Sequence, residues 1–360
     1  MPPKAASKKR RRAESTAVVE DGPPGRDPII FVSPGLQSDV RLRVFYQPFH
    51  VHSVVLKLHS NYFRKFLDSP DKADGPASAS FQYEYTTVVD EDGGWGLESA
   101  DKAAPQSSHS LAEALEAAIS IADEITAFKN MLSAMYNRPY MIENPDDILA
   151  VTKLADFYCA LPIVSATLTG ALLGSPIFKL QHMGKRSYTD MEIMAPFLLG
   201  AAFKLRHKVL FRESFVHVVS QLSKIKRGKK VNGIPPPLLN PTLQALIRNA
   251  YTRMLERILT ANQVLNNRII SCPFRLGPMY PTSTDPTENA EWFRAISNQI
   301  LFTSFEPDAD LESHLDAVLK NNLVLDQTEF GPGELLYEKR FLCGNIADRD
   351  MPWDSAETDW

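Results

Sequence analysis

The chain has few cysteines and no apolar run long enough to cross a bilayer. Its 360 residues include only Cys159, Cys272 and Cys343, which lie far apart and never form a C-x-x-C pair. This pattern argues against a disulfide framework or a thiolate zinc site, and it suits a reducing compartment. The most apolar stretch, residues 194–203, is half as long as the roughly 20 residues of a membrane-spanning helix. Because the first residues are polar and show no secretory signal, we expect a nuclear or cytoplasmic protein without membrane contact.

The sequence also lacks the local motifs of the common enzyme classes. It contains no G-x-S-x-G elbow, phosphate-binding loop, dinucleotide fingerprint or H-E-x-x-H helix. His50 and His52 form an H-x-H pair, but a metal site needs further ligands, and no cysteine or histidine cluster lies nearby in the sequence. We therefore predict a protein that is not an enzyme and has no catalytic, cofactor-binding or metal-binding residues. An enzyme of unknown type, assembled from distant residues, stays open as a remote alternative.

Neither sign of charge dominates the chain. The 39 basic and 43 acidic residues give a formal net charge of −4, which argues against a globally basic nucleic-acid binder. The basic run at residues 224–230 lacks interleaved aromatic residues, so a solvated helix end is the preferred interpretation. We expect no nucleic-acid partner, although weak nucleic-acid contact belongs to the alternative function given below.

A second basic run lies in the polar, proline-containing stretch of residues 1–27. We predict that this stretch is a disordered tail, because it has no periodic apolar pattern. Cationic extended segments fit the acidic pockets of nuclear-import receptors, so the run is a candidate nuclear-import signal, with a solubilising tail as the alternative. The candidate import residues are Lys8, Lys9, Arg10, Arg11 and Arg12.

Residues 28–175 show the pattern of a small α+β domain. Residues 39–44 alternate between apolar and charged side chains and predict a half-buried strand, and residues 49–52 predict its hairpin partner after a turn at Gln47 and Pro48. Two short helices, a strand at residues 81–89 and three longer helices follow. Asn144 and Pro145 mark a helix start by a cap and a first-turn proline. The acidic, Gly- and Ser-rich segment at residues 90–110 predicts a mobile insertion.

This order of elements and several motifs resemble BTB/POZ domains. The opening motifs are Ser38-Asp39-Val40, Phe49-x-Val51-His52-x-x-Val55-Leu56 and Ser60-x-Tyr62-Phe63. The closing motifs are Phe128-x-x-Met131-Leu132-x-x-Met135-Tyr136 and Leu154-Ala155-Asp156-x-Tyr158. We predict structural roles for the family-motif residues. For Asp39 and His52, a charge that binds a partner protein is the alternative. The family-motif residues are Asp39, His52, Leu56, Ser60, Tyr62, Phe63, Tyr136, Ala155 and Tyr158.

The remainder of the chain predicts helices. Apolar residues at helical spacing fill residues 176–325, with one long helix expected at 205–225, and residues 326–360 predict an extended segment. Residues 205–213 and the ending Cys343-Gly-Asn-Ile-Ala-Asp-Arg-Asp-Met-Pro-Trp353 resemble fungal BTB/POZ proteins with a helical C-terminal region. The expected fold is α+β, a three-stranded sheet flanked by helices and followed by an all-α region.

The resemblance implies an adaptor or scaffold that binds other proteins, with homodimerisation and recruitment of a ubiquitin-ligase or transcriptional complex left open. Two departures weaken the specialised roles. Members that recruit cullin-type ligases carry a hydrophobic-x-Glu triplet, whereas the nearest candidate here is Phe66-Leu67-Asp68. Repressor members carry Arg or Lys after the family histidine, whereas this chain has Ser53. The alternative function is a nuclear transcription-associated regulator that touches nucleic acid weakly.

Overall fold

The computed structural model describes most of the chain in eleven separate stretches. They are residues 26–68, 81–90, 94–100, 111–179, 185–226, 240–271, 281, 283–302, 309–354, 356–357 and 360.

The N-terminal half is built on a mixed sheet. Its strands are β1 (Ile29–Ile30), β2 (Val40–Val44), β3 (Gln47–Val51), β4 (Tyr83–Val89) and β5 (Trp95–Ser99). They lie in the order β1-β3-β2-β4-β5. β2 and β3 form an antiparallel hairpin, while β4 returns parallel to β2 because two short helices carry the chain across the sheet.

The sheet therefore has five strands, two more than the sequence predicted, while the α+β class is confirmed. β5 lies inside the segment predicted to be an insertion. Its Trp95 and Leu97 face the core, where Leu97 is only 3% exposed and the Trp95 ring lies 5.3 Å from that of Phe45. Gly96 and the surrounding acidic residues conceal this inward alternation in the sequence.

The predicted turn at Gln47 and Pro48 is wrong by two residues. The hairpin turns at Phe45 and Tyr46, and Phe45 adopts a left-handed φ of 54°. The Phe45 N–H donates to Thr87 Oγ1 on β4 at 3.0 Å, so a neighbouring strand supports the turn. Pro48 is tolerated in β3 because β1 pairs only with the next two residues of that strand.

Five helices lie among the described residues of the N-terminal half. They are α1 (Ser53–His59), α2 (Asn61–Leu67), α3 (Leu111–Met135), α4 (Pro145–Phe157) and α5 (Leu161–Gly174). The predicted start of α4 is confirmed: the Asn144 side chain accepts from the Asp147 N–H, and the Asp147 carboxylate accepts from the Asn144 N–H. This capping box satisfies two N–H groups that a helix start leaves free.

The C-terminal half is helical, as predicted. Its helices are α6 (Lys185–Lys204), α7 (Lys208–Ser220), α8 (Leu222–Lys226), α9 (Pro241–Ser271), α10 (Ala290–Phe302) and α11 (Ala309–Leu319). The single helix expected at residues 205–225 is interrupted. Arg206 adopts a left-handed φ of 52°, and His207 then caps α7.

Residues 320–354, here called the C-terminal strap, contain no α-helix or strand. Only short 3-10 turns at Leu335–Tyr337 and Asp348–Asp350 interrupt them. The strap is nevertheless packed into the protein, because Phe341, Leu342 and Cys343 are buried. The sequence predicted an extended segment here but not its burial.

One hydrophobic core runs through both halves. It joins β-sheet residues such as Leu42 to α4, α7 and the strap residue Phe341. The predicted boundary between residues 175 and 176 stays a prediction. Within the described stretches, no helix combines the length and apolarity needed to cross a membrane.

Candidate interaction surface

His52 and Tyr136 join β3 to the end of α3. The Tyr136 hydroxyl accepts the His52 backbone N–H at 2.8 Å and lies 2.8 Å from His52 Nδ1. His52 Nε2 faces the Leu36 carbonyl at 3.4 Å, and because a carbonyl only accepts, this contact favours the imidazole proton on Nε2 and leaves Nδ1 to accept from the hydroxyl. Burial raises the pKa of the Tyr136 hydroxyl well above its usual value, so it stays a donor.

Asp39, which lies just before β2, holds the N-terminus of α1. Its carboxylate accepts from the Ser53 N–H at 2.7 Å and from the Ser53 hydroxyl at 2.5 Å. Its own carbonyl accepts from the Gln82 and Tyr83 N–H groups at the start of β4. A carboxylate at a helix N-terminus also interacts favourably with the helix dipole. The geometry therefore gives Asp39 a local role.

Ser60 separates α1 from α2 and connects both to α4. Its hydroxyl accepts from the Phe63 N–H at 3.0 Å and donates to the Tyr158 carbonyl at 2.5 Å. The Phe63 ring stacks on the Tyr158 ring with centroids 5.2 Å apart. Both rings are buried, so this hydroxyl and this aromatic pair help to hold α2 against the end of α4.

The remaining family-motif residues line the same contact. Leu56 and Ala155 are fully buried, whereas Tyr62 is half-buried and stacks on Phe66 at 5.1 Å. Phe157 lies 5.7 Å from Tyr62 and is itself exposed. The structure thus brings the family-motif residues into two adjoining internal networks rather than onto a surface.

An exposed apolar face lies on and beside α1, whose start is held by the His52 and Asp39 contacts. Val54 and Leu58 are one helical turn apart on α1 and are 54% and 67% exposed. Leu36 is 48% exposed and close to the start of α1, because its carbonyl meets the His52 ring. Residues Leu36, Val54 and Leu58 are called the α1 face below. The sequence predicted a short helix here but did not separate its exposed residues from buried Leu56.

The triplet compared with the cullin motif is not a free surface. Leu67 is 1% exposed, and Phe66 packs on Tyr62 and on Tyr85 at 4.6 Å. Lys57 Nζ lies 2.5 Å from the Asp68 carboxylate, which raises the pKa of Lys57 through that hydrogen bond. A substitution of Leu67 would therefore disturb the core and would not test partner recruitment.

The two histidines of the H-x-H pair have separate surroundings. The His50 ring packs on Phe81 at 4.6 Å, while the His52 ring is hydrogen-bonded to Tyr136. Burial lowers the pKa of His50, and nearby Arg41 adds to that effect. In the stretches that the structure describes, no group of three His, Cys, Asp or Glu residues could hold a metal ion.

The candidate import residues and most of the basic run at residues 224–230 lie outside the described residues. Sequence reasoning missed His207, whose ring begins α7, and the role of Glu213, a fully buried carboxylate on α7. Glu213 stands inside a stretch that carried the family resemblance, but a single acidic residue between apolar residues does not reveal its burial. Only the fold shows what it contacts.

The described side chains lie in a small α+β domain with a mixed sheet and flanking helices. The BTB/POZ domain family model matches residues 31–86, which cover β2, β3, α1, α2 and the first part of β4. Comparisons with curated proteins and with solved structures give no match. Residues 31–86 are thus supported as a BTB/POZ domain, a protein–protein interaction module of a non-enzymatic domain family.

Proposed function

We propose that the protein is a non-enzymatic adaptor that self-associates through its BTB/POZ domain and binds further proteins. The α1 face is the observation that carries this proposal. Three apolar side chains would be in water in a monomer, although the helix that bears two of them is anchored at both ends. Exposed apolar side chains grouped on a rigid element are typical of protein contacts.

A second copy of this chain is the occupant we favour for the α1 face. BTB domains mediate dimerisation. A two-fold interface places the same patch of both copies together, so an apolar patch is its own complement. Lys57 is the one cation within α1 near the patch, and its pairing with Asp68 avoids a clash of like charges across the axis.

Light scattering on the full chain tests self-association. We expect a mass of twice the 40.3 kDa chain at micromolar concentration. The variant with Val54→Glu and Leu58→Arg should be monomeric, and both charges suit their ends of the helix dipole. Leu335→Arg, at a residue that is 72% exposed on the strap, is the matched control and should remain dimeric. A monomeric parent, or a dimeric double variant, would overturn the proposal.

We further propose that the protein acts in the nucleus, on the basis of the basic run in its N-terminal tail. Replacing Arg10, Arg11 and Arg12 by alanine should move a fluorescent fusion into the cytoplasm. The same replacement of Lys229 and Lys230, in the basic run at residues 224–230, is the control. An unchanged distribution after the first replacement would sink the nuclear proposal.

A cullin-type ligase is tested by restoring the motif rather than by destroying it. Asp68→Glu converts the triplet to the hydrophobic-x-Glu pattern and leaves buried Leu67 untouched. If Asp68 in place of Glu prevents the parent protein from binding the ligase, only the Asp68→Glu variant should co-purify with the ligase. Equal recovery of the ligase with both chains would show that the departure is irrelevant.

A further inference from the structure

Glu213 is a buried carboxylate with an unusual set of contacts. It is 0% exposed, and its Oε2 accepts the backbone N–H groups of Val324 at 2.6 Å and of Leu325 at 2.8 Å. Its Oε1 lies 3.6 Å from His217 Nε2, one turn further along α7. A buried carboxylate is costly unless it is hydrogen-bonded, so these two N–H groups are the main compensation.

The part of the strap held by Glu213 also contacts the N-terminal half. The Gln327 N–H donates to the Phe178 carbonyl at 3.0 Å, and Gln327 Nε2 donates to the Leu173 carbonyl at 3.4 Å. Leu173 belongs to the last turn of α5, and Phe178 follows it. The strap therefore lies between α7 and the end of α5, and it bonds to both within four residues.

α7 reaches α5 by a second route. His207, at the start of α7, pairs with Thr169 on α5 at 2.9 Å. Glu213 lies nearly two turns further along the same helix. The strap contact and the cap contact are thus separated along α7, and two separated ties restrict rotation between the halves more than either tie alone.

The strap is fitted closely to the helices it crosses. A side chain at Gly344 would come within 2.9 Å of Val219 Cγ1 on α7, and Arg257 Nη1 donates to the neighbouring Cys343 carbonyl at 3.1 Å. Such contacts use backbone groups and close approach, so they hold the strap in one position.

We propose that Glu213 is a positioning residue that couples the two halves: by holding the strap against α5, its carboxylate keeps the N-terminal half and the helical half in one orientation. In an adaptor, two surfaces at a constant distance lower the entropic cost of binding a partner that contacts both. This consequence rests on the proposed function, whereas the coupling itself does not.

The test is carried out on the full chain with two variants of Glu213. Glu213→Met keeps the shape but removes both acceptors, whereas Glu213→Gln keeps one oxygen that can accept both N–H groups. Amide exchange at residues 323–328 should rise about 10- to 100-fold in the Met variant, because two buried donors lose their partner. The Gln variant should stay within about threefold of the parent. Asp348→Asn, which removes an exposed strap-to-α7 ion pair with Arg212, is the control and should change nothing measurable.

Spin labels at exposed Arg64 and Arg253, one in each half, report the orientation. With Cys159 and Cys272 changed to serine, the parent should give one narrow distance distribution, and the Met variant a broad one. Exchange at residues 40–44 in the sheet should be unchanged, which separates uncoupling from unfolding. A broad parent distribution, or a narrow one in the Met variant, would overturn the coupling. Unchanged dimer mass in the Met variant would leave the proposed function intact.

Discussion

His207 Nε2 lies 2.9 Å from Thr169 Oγ1, so the residue that begins α7 is tied to the middle of α5. His207 Nδ1 accepts from the Leu210 N–H at 3.1 Å and caps α7. Both bonds can form only when Nδ1 is unprotonated, with the ring proton on Nε2. The same imidazole therefore serves as a helix cap and as a link between the halves of the protein.

This arrangement predicts a loss of stability on mild acidification. Burial lowers the pKa of His207 from 6.5 to about 4. Between these values the unfolded chain takes up a proton that the folded chain does not, so the contribution of His207 is complete above pH 6.5 and falls as the pH drops to 4. With about 1.4 kcal/mol per pKa unit, the loss is about 3 kcal/mol.

Urea unfolding at pH 7, 5.5 and 4.5 measures this slope, and the variant His207→Asn is the control. Asparagine keeps an acceptor for the cap but does not titrate. The variant should be less stable than the parent at pH 7 and should lose less stability on acidification. Parallel stability curves for the two chains would contradict the assignment.

Half-buried Tyr136 and fully buried Tyr158 are expected to respond differently to loss of the hydroxyl. Tyr136→Phe leaves the His52 N–H without its acceptor and should lower the free energy of unfolding by about 1–3 kcal/mol. Among the described residues, the Tyr158 hydroxyl has no hydrogen-bond partner although the side chain is fully buried. Tyr158→Phe should therefore leave the stability unchanged or raise it.

Chemical denaturation of the two Phe variants beside the parent checks this pair. Each substitution removes one oxygen and keeps the aromatic ring, so ring packing cancels in the comparison. Equal losses in both variants would mean that Tyr158 has a partner after all, such as an ordered water.

The cysteines should differ sharply in reactivity. Cys159 is exposed, at a left-handed φ of 49° after α4, whereas Cys343 is buried and burial raises the pKa of its thiol. In a Cys272→Ser variant, two thiols remain per chain. A thiol reagent should modify Cys159 quickly in the native protein and Cys343 only when the protein unfolds. Cys159→Ser should abolish the fast phase. Rapid modification of Cys343 would show that the strap opens readily.

A methyl group at Gly333 should be poorly tolerated. Its φ is 84°, and an added Cβ would lie 2.6 Å from the Ala290 carbonyl oxygen on α10. Gly35 has a similar φ of 76° with nothing within 4 Å of the added atom. Gly35→Ala therefore measures the cost of a left-handed backbone for alanine without any steric clash. We expect thermal unfolding to show Gly333→Ala less stable than Gly35→Ala by about 1–3 kcal/mol. Similar midpoints would mean that the strap shifts without cost.

Local patterns predicted those elements whose side chains alternate clearly or whose caps are complete. Val40, Leu42 and Val44 were assigned to an inward-facing strand, and all are buried. The start of α4 was predicted because Asn144 and Pro145 provide both cap and first turn. In these cases the residues that determine the local structure are neighbours in the sequence.

The errors arose where distant residues determine the local structure. The hairpin turn depends on Thr87, which is 42 residues from Phe45. At the break between α6 and α7, the His207 ring donates to Thr169 on another helix, a contact that the sequence does not reveal. The exposed α1 face could not be separated from its buried face because Val54, Leu56 and Leu58 are equally apolar in the sequence.

The single residue between α1 and α2 has a consequence for recognition. Ser60, at φ −142° and ψ 115°, is the entire connection, and its hydroxyl is bonded on both sides. A partner that binds Val54 and Leu58 therefore contacts a preformed site, and its binding does not have to order a flexible loop between α1 and α2. Binding there should resemble rigid docking, with bound and free backbones nearly superimposable.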